Sequence, residues 1–401
     1  MESQSNKTGT ASQDCHDAAI VGGGLVGASL AVALQRSGLD VALIEPQAPQ
    51  PPLAADAWDS RIYAISPGNA AFLESLGVWP RLDAQRVQRV EAMAICGDAP
   101  GGRLEFSAYE AGLRELAYIV EGSALLQALR AAIADAGQVR MACPAQASSL
   151  EINADAADLL LADGARIRAQ LVIGTDGGDS WVRRAAGIAA RVSDYRQLGV
   201  VANFETEKSH GGTAYQWFRA DGVLALLPLP GKRVSMVWSA TEEHAQSLLA
   251  MDAEALADAV LAASGGVVGE LRLVTPAAGF PLRLAHIENL VAPRIALAGD
   301  APHHVYPLAG QGVNLGFRDV RELAKVLAGR VPLQDCGDLS LLRRYARARR
   351  EDIATMALGT DVLQKLFGAR SVWLSGARNS GMGVVNRLPF LKNLLIRHAA
   401  A

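Results

Sequence analysis

A glycine-rich segment near the start of the chain constrains the fold more than any other feature. The apolar residues 18–21 lead into Gly22-x-Gly24-x-x-Gly27, and an uncharged run that suits a helix follows. In a strand–turn–helix unit these glycines permit the tight turn, the approach of backbone to a pyrophosphate and the close packing of helix on strand. Glu45, at the end of a second apolar run, suits ribose hydroxyls and would repel a 2′-phosphate. The segment predicts a βαβ unit that binds a dinucleotide other than NADP.

Two later motifs extend this chemistry. Asp176-Gly177, called here the Asp176 motif, follows an apolar run, and Gly299-Asp300 follows another. The carboxylate of Asp300 can accept hydrogen bonds from sugar-like hydroxyls, such as those of a ribityl chain. The glycines of residues 310–312 then lead into a helix, whose N-terminus stabilises negative charge on a reduced flavin ring. Three such motifs over about 290 residues indicate a large, permanently held dinucleotide, and FAD is the cofactor that we predict.

The composition fits a globular protein of two interleaved domains. The chain has 401 residues, of which 50% are hydrophobic and 20% charged, so a large core can be buried and disorder is not expected. The net charge of −3 gives no support to nucleic-acid binding. Residues 331–401 carry 11 Lys/Arg and 5 Asp/Glu, a local charge of +6 that leaves −9 for the rest. Either a solvated helix face or contact with an anionic surface explains this basic end.

Metal and disulfide chemistry are not expected. The cysteines Cys15, Cys96, Cys143 and Cys336 lie far apart without the spacing of a zinc site, an iron–sulfur cluster or a disulfide framework. His303-His304 has no third ligand at a motif spacing. The first 17 residues are polar and lack an apolar signal core, so we expect a disordered leader and no secretion.

The order of elements predicts an α/β fold, with a discontinuous FAD-binding Rossmann-like domain, an inserted mostly antiparallel β-sheet substrate domain and a helical C-terminal region. Buried-strand patterns that suit the first domain cover 18–21, 41–44, 171–173 and 295–298, and helical patterns cover 25–37, 69–76, 123–136 and 312–327. Short strands separated by turn residues cover 198–204, 213–218, 223–229 and 234–238. The expected divisions are a leader at 1–17, the FAD-binding domain at 18–190 plus 286–330, the substrate domain at 191–285 and the C-terminal region at 331–401.

Several segments resemble the ubiquinone-biosynthesis hydroxylases, which are FAD-dependent aromatic monooxygenases of the para-hydroxybenzoate hydroxylase type. Their signature is similar to the run Gly299-Asp300-Ala301-Pro302-His303…Pro307-Leu308-Ala309-Gly310-Gln311-Gly312-Val313-Asn314-Leu315-Gly316…Asp319. Their other motifs resemble Asp59-x-Arg61, Phe72-Leu73-x-x-Leu76-Gly77-x-Trp79, Asp176-Gly177-x-x-Ser180-x-Val182-Arg183, Leu226-Leu227-Pro228-Leu229 and Val237-Trp238-Ser239. Pro302 and Tyr306 stand where the family more often has alanine and a second histidine. The resemblance covers nearly the whole chain.

This resemblance implies a monooxygenase that hydroxylates a polyprenylated phenol in ubiquinone biosynthesis, through a flavin C4a-hydroperoxide. FAD is then held tightly without a covalent link, NAD(P)H or another donor reduces it, and O₂ supplies the oxygen. No catalytic side chain is expected, and Tyr306 and Pro307 are expected near the flavin ring. The predicted cofactor-binding residues are Gly22, Gly24, Gly27, Glu45, Arg61, Asp176, Asp300, Gly310, Gln311, Gly312 and Asn314.

Other functions fit the same motifs. One is a hydroxylase of a small soluble phenol, and others are a catalytically silent flavin-binding subunit of a biosynthetic complex and a flavin dehydrogenase or oxidase. The segment 388–397 predicts a short amphipathic helix, which either docks on the body or contacts a membrane or a lipid-binding partner. We expect a cytoplasmic protein, peripheral to the inner face of the membrane, whose partners belong to a ubiquinone-biosynthesis complex.

Overall fold

The chain folds into helices packed around two large β-sheets. The computed structural model describes residues 15–54, 56–97, 103–219, 222–287, 289–304 and 312–368, and it describes no side chains at 192–195, 283–286, 304 and 356–368. The helices are α1 Leu25–Arg36, α2 Pro67–Ser75, α3 Gly122–Ala136, α4 Trp181–Ala185, α5 Glu242–Ala250, α6 Ala253–Ser264, α7 Gly312–Ala328 and α8 Leu339–Gly368.

The strands are β1 Cys15–Val21, β2 Val41–Ile44, β3 Ile62–Ile65, β4 Gln88–Val90, β5 Ala92–Cys96, β6 Arg103–Ser107, β7 Ala117–Glu121, β8 Val139–Ala142, β9 Ala147–Ile152, β10 Ala157–Leu161, β11 Arg166–Gly174, β12 Ala190–Thr206, β13 Thr213–Arg219, β14 Gly222–Leu229, β15 Arg233–Thr241, β16 Leu271–Leu273, β17 Ala278–Ile287, β18 Val291–Ala292, β19 Ile295–Leu297 and β20 His303–His304. The strands predicted at 41–44, 213–218 and 223–229 and the helix predicted at 123–136 are confirmed to within one residue at each end.

The first sheet brings the three motifs together. Its main path runs β18-β19-β11-β1-β2-β8, with β10 and β9 joined beside β11. The strands β19, β11, β1 and β2 are parallel neighbours. Parallel neighbours end at the same edge of a sheet, which is where ligands bind in open α/β folds. The glycine turn after β1, the Asp176 motif after β11 and Gly299-Asp300 after β19 therefore meet at one edge.

Apolar side chains cover both faces of this sheet. Helices α1, α3, α7 and α8 pack on one face, around fully buried residues such as Leu30, Leu43, Phe317 and Tyr345. The β9–β10 hairpin and α4 pack on the other. Burial on both faces explains why residues 18–21 of β1 and all of β2 are continuous apolar runs with no polar alternation.

The second sheet has nine strands and confirms the predicted antiparallel layer. Its path runs β20-β17-β12-β15-β14-β13-β5-β6, with β16 beside β12, and every pair except β13–β5 is antiparallel. Helices α5 and α6 cover one face. The opposite face packs on a small sheet of order β3-β7-β4, whose strands come from the first half of the chain.

Three features differ from the sequence-based expectation. The second sheet recruits β5 and β6, which precede residue 191 by more than 80 residues, and α5 and α6 were not predicted. Strand β1 begins at Cys15, so the folded chain starts before residue 18. Residues 15–17 of this strand fall in the segment expected as a leader, and His16 Nδ1 there forms a hydrogen bond with Asp40 Oδ2 at 2.8 Å. Residues 1–14 lie outside the described ranges.

Helix α8 crosses from the first sheet toward the second. The hydroxyl of Tyr345 near its start donates to the carbonyl oxygen of Leu297 at 2.9 Å, and the helix also contacts β13. It runs antiparallel to α7, since Arg349 meets Asp319 and Ile353 packs on Leu315. None of the helices in the described ranges is long and apolar enough to cross a membrane.

Candidate cofactor site

The turn between β1 and α1 is shaped by close backbone contacts. Gly22 has φ +104°, and a Cβ there would lie 2.6 Å from the carbonyl oxygen of Thr175. A Cβ on Gly27 would lie 1.8 Å from the carbonyl oxygen of Gly22, so the helix can approach the turn only through glycine. Gly24 is exposed, and a Cβ there would meet nothing within 4 Å.

The open space at Gly24 lies at the N-terminus of α1. Gly24 is the N-cap residue, and no side chain caps the helix. The first N–H groups of a helix and its dipole favour an anion at this position. The turn therefore fits a pyrophosphate group, which is the role predicted for its glycines.

Glu45 lies beside this turn. Its Oε2 accepts a hydrogen bond from the backbone N–H of Gly23 at 2.6 Å, and its Oε1 accepts from that of Gln47 at 2.8 Å. It reaches the turn because β1 and β2 are adjacent and parallel, with Val21 opposite Ile44. The carboxylate is half-buried next to the proposed pyrophosphate position, where ribose hydroxyls would meet it.

Asp176 approaches the same turn from β11. The hydroxyl of Thr175 donates to the carbonyl oxygen of Gly22 at 2.8 Å, which places the next residue against the turn. Asp176 Oδ2 accepts from the N–H of Val182 at 3.0 Å, whereas Oδ1 is buried and has no hydrogen-bond partner among the described residues. Buried polar atoms are nearly always paired, so an unpaired carboxylate oxygen here fits a hydroxyl donor from a bound cofactor.

Arg183 joins the second motif to the third. Its guanidinium is 5% exposed, and Nη1 donates to the carbonyl oxygens of Gly178 at 2.9 Å and Ala301 at 2.8 Å. Sequence reasoning placed this arginine in the second motif but gave it no role. Its link to Ala301 fixes the turn that carries Asp300.

Asp300 and Arg61 share a neighbourhood around Tyr63. Burial raises the pKa of the Tyr63 phenol, the positive charge of Arg61 lowers it, and the negative charges of Asp300 and Asp59 raise it further. The side chains of Arg61 and Asp300 are both exposed. Asp300 Oδ1 lies 3.9 Å from the position of a Cβ on Gly312, the first residue of α7. The segment that carries Arg61, the Gly299-Asp300 motif and the start of α7 therefore lie close together.

The segment that carries Arg61 is held in place by Asp59. Its Oδ1 accepts from the N–H of Arg61 at 2.8 Å, and its Oδ2 accepts from the N–H of Ser123 at the start of α3, also at 2.8 Å. Asn203 Nδ2, from β12 of the second sheet, donates to the carbonyl oxygen of Asp59 at 2.8 Å. The loop before β3 is thus tied to both sheets.

Asn314 has a different environment from the other predicted residues. Its side chain is 1% exposed, Oδ1 accepts from the N–H of Ser66 and from Asn69 Nδ2 at 2.9 Å each, and Nδ2 donates to the carbonyl oxygen of Ala64 at 2.7 Å. These bonds tie α7 to β3 and α2. Tyr306, Pro307, Gly310 and Gln311 lie outside the described residues, so their roles stay predictions.

A small apolar cluster lies on the second sheet beside its contact with the small sheet. Leu104, Phe218 and Leu282 are buried there, packed with Ile95, Phe106 and Val223. Phe218 and Val223 alternate with residues that pack under α5 and α6, so this cluster lies on the opposite face of the sheet from those helices.

Comparisons with known proteins agree with these motifs. A family model described as an FAD binding domain matches residues 16–359. The chain is 37% identical to the ubiquinone hydroxylase UbiL of Rhodospirillum rubrum, over 96% of this chain and 89% of the relative. It is 35% identical to the 3-demethoxyubiquinol 3-hydroxylase of Escherichia coli, over 95% of this chain and 97% of the relative.

Solved structures show the same fold. PqsL of Pseudomonas aeruginosa, in complex with 2-aminobenzoylacetate, superposes with a TM-score of 0.76 at 22% identity, covering 92% of this chain and 99% of that one. At this identity the likeness concerns the fold alone. It supports a para-hydroxybenzoate hydroxylase-like arrangement of the two sheets.

Proposed function

This chain belongs to the ubiquinone-biosynthesis hydroxylases of the FAD-binding-domain family, and from this we propose that it hydroxylates the ring of a polyprenylated phenol. The chain is an FAD-dependent monooxygenase, which uses O₂ and a reductant. The observation that carries the proposal for the substrate is the near full-length match to two relatives named for hydroxylation of ubiquinone or its precursor.

Different residues are proposed to bind different parts of FAD. We assign the pyrophosphate to the turn from Gly22 to Gly27, the adenosine ribose to Glu45, and the ribityl chain to Asp300. The unpaired Asp176 Oδ1 supports a further hydroxyl contact at the neighbouring turn. FAD supplies the redox chemistry and the activation of O₂, so the protein has to bind, orient and exclude water.

We also propose that the C-terminal region brings the enzyme to the membrane surface that holds a polyprenylated phenol. Residues 331–401 have a charge of +6, and segment 388–397 places apolar and basic residues at a helical spacing. That segment lies outside the described residues. The same region is a candidate contact for lipid-binding or biosynthetic partners.

Complementation tests this function. Bacterial strains that each lack one ring-hydroxylation step of ubiquinone synthesis are given the chain, and quinone intermediates are measured by mass spectrometry. We expect ubiquinone to be restored in at least one strain, which also identifies the ring carbon. Expression of stable, FAD-loaded protein without rescue of any strain would contradict the proposal.

A further inference from the structure

One buried carboxylate connects the third motif to the C-terminal helix. Asp319 of α7 is fully buried, and its Oδ2 accepts from the N–H of Gly299 at 2.9 Å and from His303 Nε2 at 2.6 Å. Its Oδ1 accepts from Arg349 Nε of α8 at 2.7 Å. Two of the donors belong to the segment 299–303 of the third motif, and the third belongs to α8.

The turn that Asp319 holds has little room to move. Gly299 has φ +67°, and a Cβ there would lie 3.1 Å from the methyl groups of Val26 in α1. A Cβ on Gly316 of α7 would lie 2.6 Å from Val26 Cγ2 and 3.3 Å from the Cα of Gly299. The turn is packed closely between α1 and α7. The hydrogen bond from Gly299 N–H to Asp319 therefore fixes the position of the backbone that carries Asp300.

Opposite charges surround the carboxylate. Burial acts to raise the pKa of Asp319, but the neighbouring His303 and Arg349 outweigh it and hold the pKa below its usual value. Tyr345 of α8 also faces the carboxylate, and burial and this negative charge both raise the pKa of its phenol.

Arg349 is itself part of a buried network. Its Nη1 donates to Asp352 Oδ2 at 2.6 Å, and Asp352 Oδ1 accepts from Arg318 Nη1 at 3.1 Å. Arg349 and Arg318 are 5% and 6% exposed. Arg349 thus has a fixed position, from which it can orient Asp319.

We propose that Arg349 is a positioning residue of the cofactor site, which fixes the Asp319 carboxylate and through it the Gly299-Asp300 turn. The C-terminal helix, which carries none of the cofactor motifs, thereby controls FAD affinity. This inference rests on FAD binding at that turn, and it goes beyond the proposed reaction.

The test compares two arginines on the same helix. FAD dissociation constants are measured at pH 6 and pH 8.5 for the parent protein, Arg349→Gln, Arg349→Lys and the control Arg350→Gln, whose side chain is exposed. Circular dichroism verifies that each apoprotein is folded. We expect Arg349→Gln to bind FAD about tenfold or more weakly at pH 6 and to recover toward the parent at pH 8.5.

The pH trend follows from the charge on Asp319. Without Arg349, Asp319 keeps His303 but loses one of the two partners that lower its pKa, so that pKa rises. The carboxylate then protonates more readily as the pH falls, and its charge-assisted bond to Gly299 weakens. Arg349→Lys keeps a positive charge but not the forked geometry that reaches both Asp319 and Asp352, so its FAD affinity should lie between those of the parent and Arg349→Gln, with a smaller pH trend. Arg350→Gln should match the parent.

Two results would overturn the inference. One is parent-like FAD affinity of Arg349→Gln at both pH values, and the other is an equal loss at both, as a general structural defect would produce. If Arg349→Gln does not fold, Asp319→Asn replaces it, with weaker FAD binding expected and no pH trend, because nothing at that position titrates. Parent-like affinity of Asp319→Asn would also refute the proposal. If Asp300→Ala has the same FAD dissociation constant as the parent, the Gly299-Asp300 turn does not bind FAD, and the assignment on which this inference rests is wrong.

Discussion

Asp176 and Asp300 are two of the three carboxylates at strand ends that we assign to the cofactor, the third being Glu45. Asp176 Oδ1 is buried without a partner among the described residues, and Asp300 is exposed at the adjacent turn. An unpaired buried acceptor costs about 1–3 kcal/mol or more, so a hydroxyl that binds there recovers that free energy. Charge-assisted bonds to ribityl hydroxyls are worth about twice a neutral bond.

Asp300→Ala should therefore weaken FAD binding with little loss of fold. The lost bonds are worth about 1.5–3 kcal/mol, which corresponds to a roughly 10–150-fold rise in the FAD dissociation constant. Titration of apoprotein with FAD, followed by flavin fluorescence, measures it. Asp258→Ala, on the exposed side of α6, is the matched control and should behave as the parent. An unchanged dissociation constant for Asp300→Ala would remove it from the site.

Residue roles were predictable only where a motif fixes the backbone. Gly22, Gly27 and the two aspartates could be assigned from the strand-and-turn pattern, because the chemistry of those turns is local. The contacts of Asn314 with Ser66 and of Arg349 with Asp319 join residues 248 and 30 positions apart. No local spacing reveals such pairs, so sequence reasoning assigned no role to Arg349 and did not foresee these bonds of Asn314, whose contact with the cofactor stays a prediction.

The unit β1–turn–α1 is the element on which the cofactor site depends most. Its three glycines have different neighbours: Gly27 contacts the backbone of Gly22, whereas Gly24 faces open space. Folding and binding are therefore separable within one motif.

Gly24→Ala and Gly27→Ala should separate these two effects. Gly24→Ala leaves the packing intact and places a methyl group where the pyrophosphate approaches, so we expect normal thermal unfolding of the apoprotein and weak FAD binding. Gly27→Ala forces α1 away from the turn, so unfolding temperature and FAD binding should both fall. Differential scanning fluorimetry with and without FAD measures both. A lower unfolding temperature of the Gly24→Ala apoprotein would contradict the claim that Gly24 serves binding and not folding.

Elements were predictable where one pattern dominates. The apolar runs of β1, β2 and β11 identified them, because both faces of that sheet are buried. Helices α5 and α6 were missed, although Thr241 and Asp252 cap them and Gly265 ends α6 at φ +65°. The pairing of β5 with β13 could not be expected, because it joins strands about 120 residues apart and strands of both other sheets lie between them in the chain.

At the scale of the whole molecule, the second sheet packs on the small sheet β3-β7-β4, and α8 contacts β18 of the first sheet and β13 of the second. The Asp59–Asn203 bond and the Trp58 ring, with the guanidinium carbons of Arg86 and Arg233 at 4.2 and 5.2 Å from its centroid, tie the loop before β3 to the second sheet. The basic region 331–401 includes α8.

Removal of residues from 388 onward should weaken binding to anionic vesicles more than it weakens FAD binding. Apolar burial and attraction to head groups act together, and the second contribution should fade with salt. Vesicle co-sedimentation at low and high salt, with flavin absorbance as the control, measures both. Equal vesicle binding by the full-length and shortened proteins would show that this segment does not contact the membrane.

The most direct test of the central claim is incorporation of labelled oxygen. The FAD-loaded protein is given a prenylated phenol, a nicotinamide donor and ¹⁸O₂, and the product is analysed by mass spectrometry. We predict one ¹⁸O atom in the ring hydroxyl, with donor oxidation coupled to product, and none when H₂¹⁸O replaces ¹⁸O₂. Donor oxidation that yields hydrogen peroxide with every prenylated phenol supplied, and never an oxygenated ring, would contradict the account and indicate a flavin oxidase.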